Sequence, residues 1–400
     1  MLQTAQPKRP VWLRVYTATA TITLNTVIVL IVGMVAMSLM APPPNNDEVI
    51  RGPSGMNAVY SQWFRLHTYR FVDEAEARAT GLEYDAWAAN GHWQVHPWTG
   101  LISREFDGTY LNIDADGVRH SRLPDPAHAD QPLLRVWALG GSTMFGWGLG
   151  DDWTIPSQLQ SALQTQLPGY QVQVTNYGAP IYNTSQELAL LTAYLRLHEP
   201  PDAVVFMDGV NDVFFSVYTA TQTSMINPLS AAWEAQVRLL TGEQPTPWIT
   251  VNDSFPAARW ARQTFNQPEQ QGSNMLNTRA NYSLQYVYEG SPEERLEQII
   301  DTYRHNRRMA TALADEYGIL PLFTLQPWND DNYTVFREGV LAGEAPHTVD
   351  ISDVFDPTDS PDNPYKVDDV HYSDYGSQII AARLAMLLLE RDVASYGARS

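Results

Sequence analysis

Four short stretches of this 400-residue chain hold residue types that could together perform nucleophilic chemistry. The first is Gly140-Gly141-Ser142-Thr143, entered directly from the apolar run LLRVWAL. Glycines permit a tight turn, and a Ser opening the next helix can hold its hydroxyl out while its own N–H faces an anion. An ordinary helix cap would look the same. The second is Gly178 in NYGAPIYNTSQE, where a backbone N–H could approach a substrate oxygen. The third is Gly209-Val210-Asn211-Asp212, which follows DAVVFMD and offers an Asn amide as an oxyanion donor. The fourth is DDVH, with Asp368 three residues before His371. A Ser hydroxyl attacks usefully only when an imidazole takes its proton, and a carboxylate can orient that imidazole.

Other clusters compete with these and fall away. Asp125 and His128 repeat the Asp–His spacing, but in a Pro-rich linker ahead of the first core strand. Asn252-Asp253 has no Gly two residues upstream. Asn112, Asp114, Asp116 and Gly117 imitate the start of a calcium loop, yet its twelfth position, where a bidentate Glu is needed, is Leu123. That stretch reads as a hairpin turn. The acidic loop from Asp350 to Asp369 reads as solvated, and Asp212 as a partner of its own turn. Trp147, Phe214, Phe215 and Tyr218 line a sugar or acyl pocket, or belong to the core; sequence leaves both open. With no cysteine, the chain has no disulfide, thiolate metal site, Cys nucleophile or lipidated N-terminal Cys.

The elements that must position these residues follow from the rhythm after Leu133. Apolar runs LLRVWAL, YQVQVTN, DAVVFMD, ILPLFTL and TVDISDVF alternate with helical stretches at Trp153 to Leu167, Ser185 to His198, the segment opened by Ser291-Pro292-Glu293-Glu294 and stopped by Gly318, and Ser373 to about Val393. Such alternation predicts βαβ units and a parallel sheet covered by helices on both faces. Ligands collect outside the carboxyl ends of strands in sheets of this kind, where the first three stretches fall. A long aromatic-rich insertion, 214–290, interrupts the alternation after the third strand; so placed, it is expected to be a lid or an interaction surface. No internal repeat is present.

The chain opens differently. Residues 1–14 carry Lys8, Arg9 and Arg14, and residues 15–41 are uncharged and long enough for the ~20 residues that span a bilayer. Pro42-Pro43-Pro44, Asp47 and Glu48 follow. The positive-inside rule predicts a single-pass anchor with a cytoplasmic N-terminus and the remainder outside. A cleaved signal peptide is the alternative, although its apolar region would run to only about 7–15 residues. Residues 42–132 form a linker and aromatic-rich extension with a β-hairpin, and 133–400 the catalytic domain. With 25 basic against 45 acidic residues and a net charge of −20, nucleic acid is a poor partner.

The ordered series GGST, Gly178, GVND and DDVH resembles the SGNH hydrolases, the GDSL esterase/lipase superfamily, from Leu133 to about Val393 outside the insertion. The resemblance implies a three-layer α/β fold with a flavodoxin-like parallel sheet and no metal or organic cofactor. It implies Ser142 as nucleophile, His371 as base and Asp368 as its orienting group. The Ser142 and Gly178 N–H groups and the Asn211 side chain would form the oxyanion hole. The family's usual Asp before the nucleophile is Gly141 here, and its Leu is Thr143, which bears on subfamily more than on chemistry. The expected function is a membrane-anchored, extracytoplasmic serine ester hydrolase. It would remove acyl groups, O-acetyl among them, from carbohydrate or related envelope esters. Two alternatives stand beside it. One is acyl transfer to a polysaccharide from the same Ser142 acyl-enzyme, beside a membrane-protein partner. The other is a silent structural or binding subunit of a membrane assembly.

Overall fold

The apolar runs read from the sequence become strands of one sheet. The computed structural model describes residues 69–89, 91–214, 291–343, 347–355, 365 and 370–397. Its first elements are helix α1 (Glu74–Ala89), the antiparallel hairpin β1 (Trp93–His96) and β2 (Gly100–Ser103), and the short pair β3 (Phe106–Asp107) and β4 (Asn112–Ile113). The turn after β4 is closed by Asp114, whose carboxylate accepts the Asp116 and Val118 N–H groups, with Gly117 at φ 80°. That carboxylate thus serves its own turn.

The core sheet contains β5 (Leu133–Gly140), β6 (Gln171–Gly178), β7 (Ala203–Asp208), β8 (Leu320–Leu325) and β9 (Thr348–Asp350), all parallel, in the order β6-β5-β7-β8-β9. This is the flavodoxin-like order, with its switch point at the carboxyl ends of β5 and β7. Between the strands lie α2 (Ser142–Phe145), α3 (Ile155–Gln166), α4 (Thr184–Leu197), α5 (Val210–Val213), α6 (Pro292–Tyr317) and α7 (Asp331–Ala342), and the chain closes with α8 (Asp374–Glu390) and α9 (Val393–Gly397).

Alternation along β5 sorts the core into two layers. Leu134, Val136 and Ala138 pack with Ile155 and Leu159 of α3 and Leu384 and Leu388 of α8. Trp137 and Leu139 face the other way, onto Leu190 and Leu191 of α4 and Ala310 and Ala314 of α6. Side chains along a strand point alternately to opposite faces, so one strand anchors both helical layers.

Helix ends are fixed by local chemistry. Ser291 and Glu294 form a capping box at the start of α6, and Gly318 ends it at φ 67°. A second box, Asn183 with Gln186, starts α4. Among the described residues no helix is long and apolar enough to cross a membrane, and residues 15–41 lie outside them. Residues 215–290 of the insertion lie outside them too.

Candidate active site

Three turns at the carboxyl end of the sheet, and the approach to α8, bring the polar residues together. β5 ends at Gly140, Gly141 is extended at φ −79° and ψ −153°, and Ser142 opens the four-residue α2. Gly146, at φ 84°, ends that helix by donating its N–H to the Ser142 and Thr143 carbonyls. His371 comes just before Ser373, which caps α8. The two meet: Ser142 Oγ lies 2.8 Å from His371 Nε2, across 229 positions of sequence. A hydroxyl at this distance can pass its proton to the imidazole as it attacks. Asp368 lies outside the described residues.

The imidazole is packed as well as hydrogen-bonded. The Trp147 indole stacks beside it with ring centroids 6.2 Å apart at 29°. Trp147 is buried among Tyr84, Trp87, His92 and Phe145, so of its two sequence readings the structure gives the core one. Burial also holds the His92 imidazole down at about 4, so that ring is neutral at physiological pH. Phe214 is exposed, and Phe215 and Tyr218 lie outside the described residues.

Asn211 sits in the turn after β7, entered through Gly209 at φ 101°. One Nδ2 hydrogen is donated to the Tyr182 carbonyl at 2.7 Å, which fixes the amide plane and leaves the second hydrogen to point elsewhere. The amide lies against Gly141, where a Cβ would overlap Nδ2 and stand 3.3 Å from the Tyr182 oxygen. The glycine before Ser142 thus makes room for the Asn211 amide.

Gly178 is used differently from expectation. Its N–H is donated to Asn176 Oδ1 at 3.0 Å, so it is committed within its own strand end rather than held for a substrate oxygen. The absent side chain matters for another reason: a Cβ there would run into the Phe145 backbone N. Asn176 also donates from Nδ2 to the Phe145 carbonyl at 3.3 Å, tying β6 to α2. Three residues on, Ile181 adopts φ 63°, a costly conformation for a β-branched residue. Among the described residues its N–H meets no acceptor.

Beneath the Asn211 turn lies a buried ionic cluster that sequence reasoning missed. Arg307 of α6 pairs with Asp208 and stands 3.5 Å from Glu187, its guanidinium packed over Phe206, Tyr303 and Phe323. Tyr303 donates to Asp208 at 2.7 Å, and Thr184 donates from N and Oγ1 to Asp212. Asp212 therefore serves the start of the neighbouring helix α4 rather than its own turn. Burial, followed by the charge of Asp208, raises Glu187 well above the ordinary carboxylate range and Asp212 to about 6. A lone Arg on a polar helix gives no sequence signal that it is buried. The rejected pair, Asp125 and His128, stands 3.4 Å apart on its own short 3₁₀ turn.

The sequence matches the model of the GDSL-like Lipase/Acylhydrolase family over residues 138–379. Among solved structures it is similar to a lipase/acylhydrolase from Enterococcus faecalis, at 14% identity over 64% of this chain and 96% of that one, with a TM-score of 0.34. An acetyl xylan esterase from Geobacillus stearothermophilus is 16% identical over 64% of this chain and 94% of that one, TM-score 0.34. A two-domain esterase active on acetylated mannans is 13% identical over 67% of this chain and 52% of that one, TM-score 0.38. No curated protein matches the chain.

Proposed function

The chain belongs to the GDSL-like lipase/acylhydrolase family, and from that premise we propose a serine ester hydrolase that works through a Ser142 acyl-enzyme. The observation that carries this reading is the 2.8 Å contact between Ser142 Oγ and His371 Nε2 at the switch point of the sheet. His371 takes the hydroxyl proton as Oγ attacks the ester carbonyl carbon, then returns it to the departing alkoxide. Water, deprotonated by the same imidazole, releases the acid and restores the serine. Asp368 orients His371 in this scheme.

The negative oxygen of the tetrahedral intermediate is received by the Ser142 N–H and the second Nδ2 hydrogen of Asn211. The Gly178 N–H is already taken, so the third donor in this reading is the unpaired N–H of Ile181. That residue belongs to the turn whose Tyr182 carbonyl lies beside Gly141. The strained φ of Ile181 fits a turn shaped for function rather than for stability.

The substrate is an acyl ester of a carbohydrate or related envelope molecule, with O-acetyl the leading case. A net charge of −20 disfavours polyanionic substrates. The uncharged segment 15–41 holds the enzyme at the membrane with the catalytic domain outside the cytoplasm. The test is a panel of acetyl, butyryl and longer esters with and without oligosaccharide acceptors, following free acid and acylated acceptor together. Release of acid without acceptor supports hydrolysis. Product formed only on the acceptor replaces it with acyl transfer, and inactivity across the panel rejects the reading.

A further inference from the structure

The nucleophile helix α2 is a single turn, too short to hold itself, and its last carbonyls have no intrahelical partners. Those carbonyls are met from a segment that precedes the family-matched residues 138–379. Arg119, buried to 1% exposure, donates from Nη1 to the Phe145 and Gly146 carbonyls at 3.1 and 3.0 Å. From Nη2 it reaches the Leu149 carbonyl at 2.5 Å, and from Nε the Asp151 carboxylate at 3.0 Å. Its guanidinium lies 4.7 Å over the Phe145 ring. Tyr84 of α1 completes the clamp, accepting from Arg119 at 2.6 Å and sharing its one hydroxyl proton between the Gly146 and Leu149 carbonyls. The clamped loop carries Trp147, which stacks on His371, so both partners of the reacting pair lean on it.

The same extension reaches the other two turns. Tyr182, whose carbonyl holds Asn211, has its hydroxyl bound by Thr99 at 2.5 Å and by the Leu101 carbonyl at 2.7 Å. The buried Asp374 carboxylate, three residues after His371, accepts the Arg70, Phe71 and Val72 N–H groups.

We propose that the extension 69–122 is a positioning brace for the reacting groups, with Arg119 its principal residue. This rests on the hydrolase reading of Ser142. A planar guanidinium meets five acceptors in fixed directions at once; a lysine ammonium cannot. Without it the 142–149 loop relaxes, and a shift of about 1 Å at the nucleophile costs on the order of 10²-fold in rate.

The experiment compares Arg119→Lys, Arg119→Met and Tyr84→Phe with wild type in the full chain. It measures kcat and KM on an acetyl ester, the fluorophosphonate labelling rate of Ser142, and thermal unfolding. Folded Arg119 variants should lose about 10²-fold in kcat and labelling rate while KM stays within about threefold. Tyr84→Phe keeps the charge and removes one hydroxyl, so it should fold even where the Arg119 variants do not, and lose about three- to tenfold. Lower unfolding temperatures with wild-type kcat and labelling rate per folded molecule would overturn the brace and leave a merely structural segment. Absence of labelling in wild type would instead reject the hydrolase reading beneath it.

Discussion

Adding one methyl group at Gly141 should disable the enzyme without unfolding it. The backbone there is extended at φ −79° and ψ −153°, open to any residue, so alanine adds little conformational strain. Its Cβ, however, overlaps Asn211 Nδ2, and ordinary contact is restored only if the amide retreats by about 1 Å. That retreat stretches the 2.7 Å bond to the Tyr182 carbonyl and moves the second hydrogen away from the oxyanion. Loss of one such donor costs about 2.7–4 kcal/mol of transition-state stabilisation, roughly 10²–10³-fold in kcat. Overpacking should cost folding about 1–3 kcal/mol. The assay is kcat and KM on a small acetyl ester beside thermal unfolding, for Gly141→Ala, Asn211→Ala and the double variant. Removing the Asn211 amide also removes the clash, so the double variant should be no slower than Asn211→Ala alone. A folded Gly141→Ala enzyme with wild-type kcat would show that the Asn211 amide is not held against Gly141 for an oxyanion.

Asn211→Ala alone should lower kcat by about 10²–10³-fold with far less change in KM, since its bond strengthens as charge develops. A stable variant with undiminished kcat would remove Asn211 from the oxyanion hole. Burial, followed by the charge of Asp208, pushes the Asp212 carboxyl up from 3.8 to about 6, so its neutral form is the one the fold favours. That contribution is full below pH ~4 and lost as pH rises through ~6, about 3 kcal/mol in all. Asp212→Asn should therefore flatten the stability profile between these pH values and raise the unfolding temperature at pH 7.5; an unchanged slope would count against it. Protease added to intact cells should degrade the chain beyond Asp47 and spare the N-terminus, whereas a mature protein starting near Leu39 or Pro42 would show a cleaved signal.

The sheet was legible because β5, β6 and β7 are apolar runs whose polar residues begin where the strands stop. Ends were less legible. TVDISDVF reads as one strand, but pairing stops at Asp350, whose carboxylate captures the Ser352 N–H at 2.8 Å and turns the chain. The start of α3 falls at Ile155 because the Thr154 side chain accepts the Ser157 N–H, a cap that apolar periodicity does not reveal. Within the site, residue type pointed to Ser142, Asn211 and His371, whereas who bonds to whom did not follow from it. Asn176 takes the Gly178 N–H, and the left-handed turn falls on Ile181, the kind of residue least suited to it. Nothing in the sequence singles out Arg119, because its partners lie 26 to 35 residues away.

The central claim is that Ser142, activated by His371, is the group that attacks the ester. Its most direct measurement is covalent labelling of the ectodomain, from Asn45 onward, with a fluorophosphonate probe, followed by peptide mapping. One adduct is expected, on Ser142, lost in Ser142→Ala and formed much more slowly in His371→Ala. An adduct that persists undiminished in Ser142→Ala would contradict it.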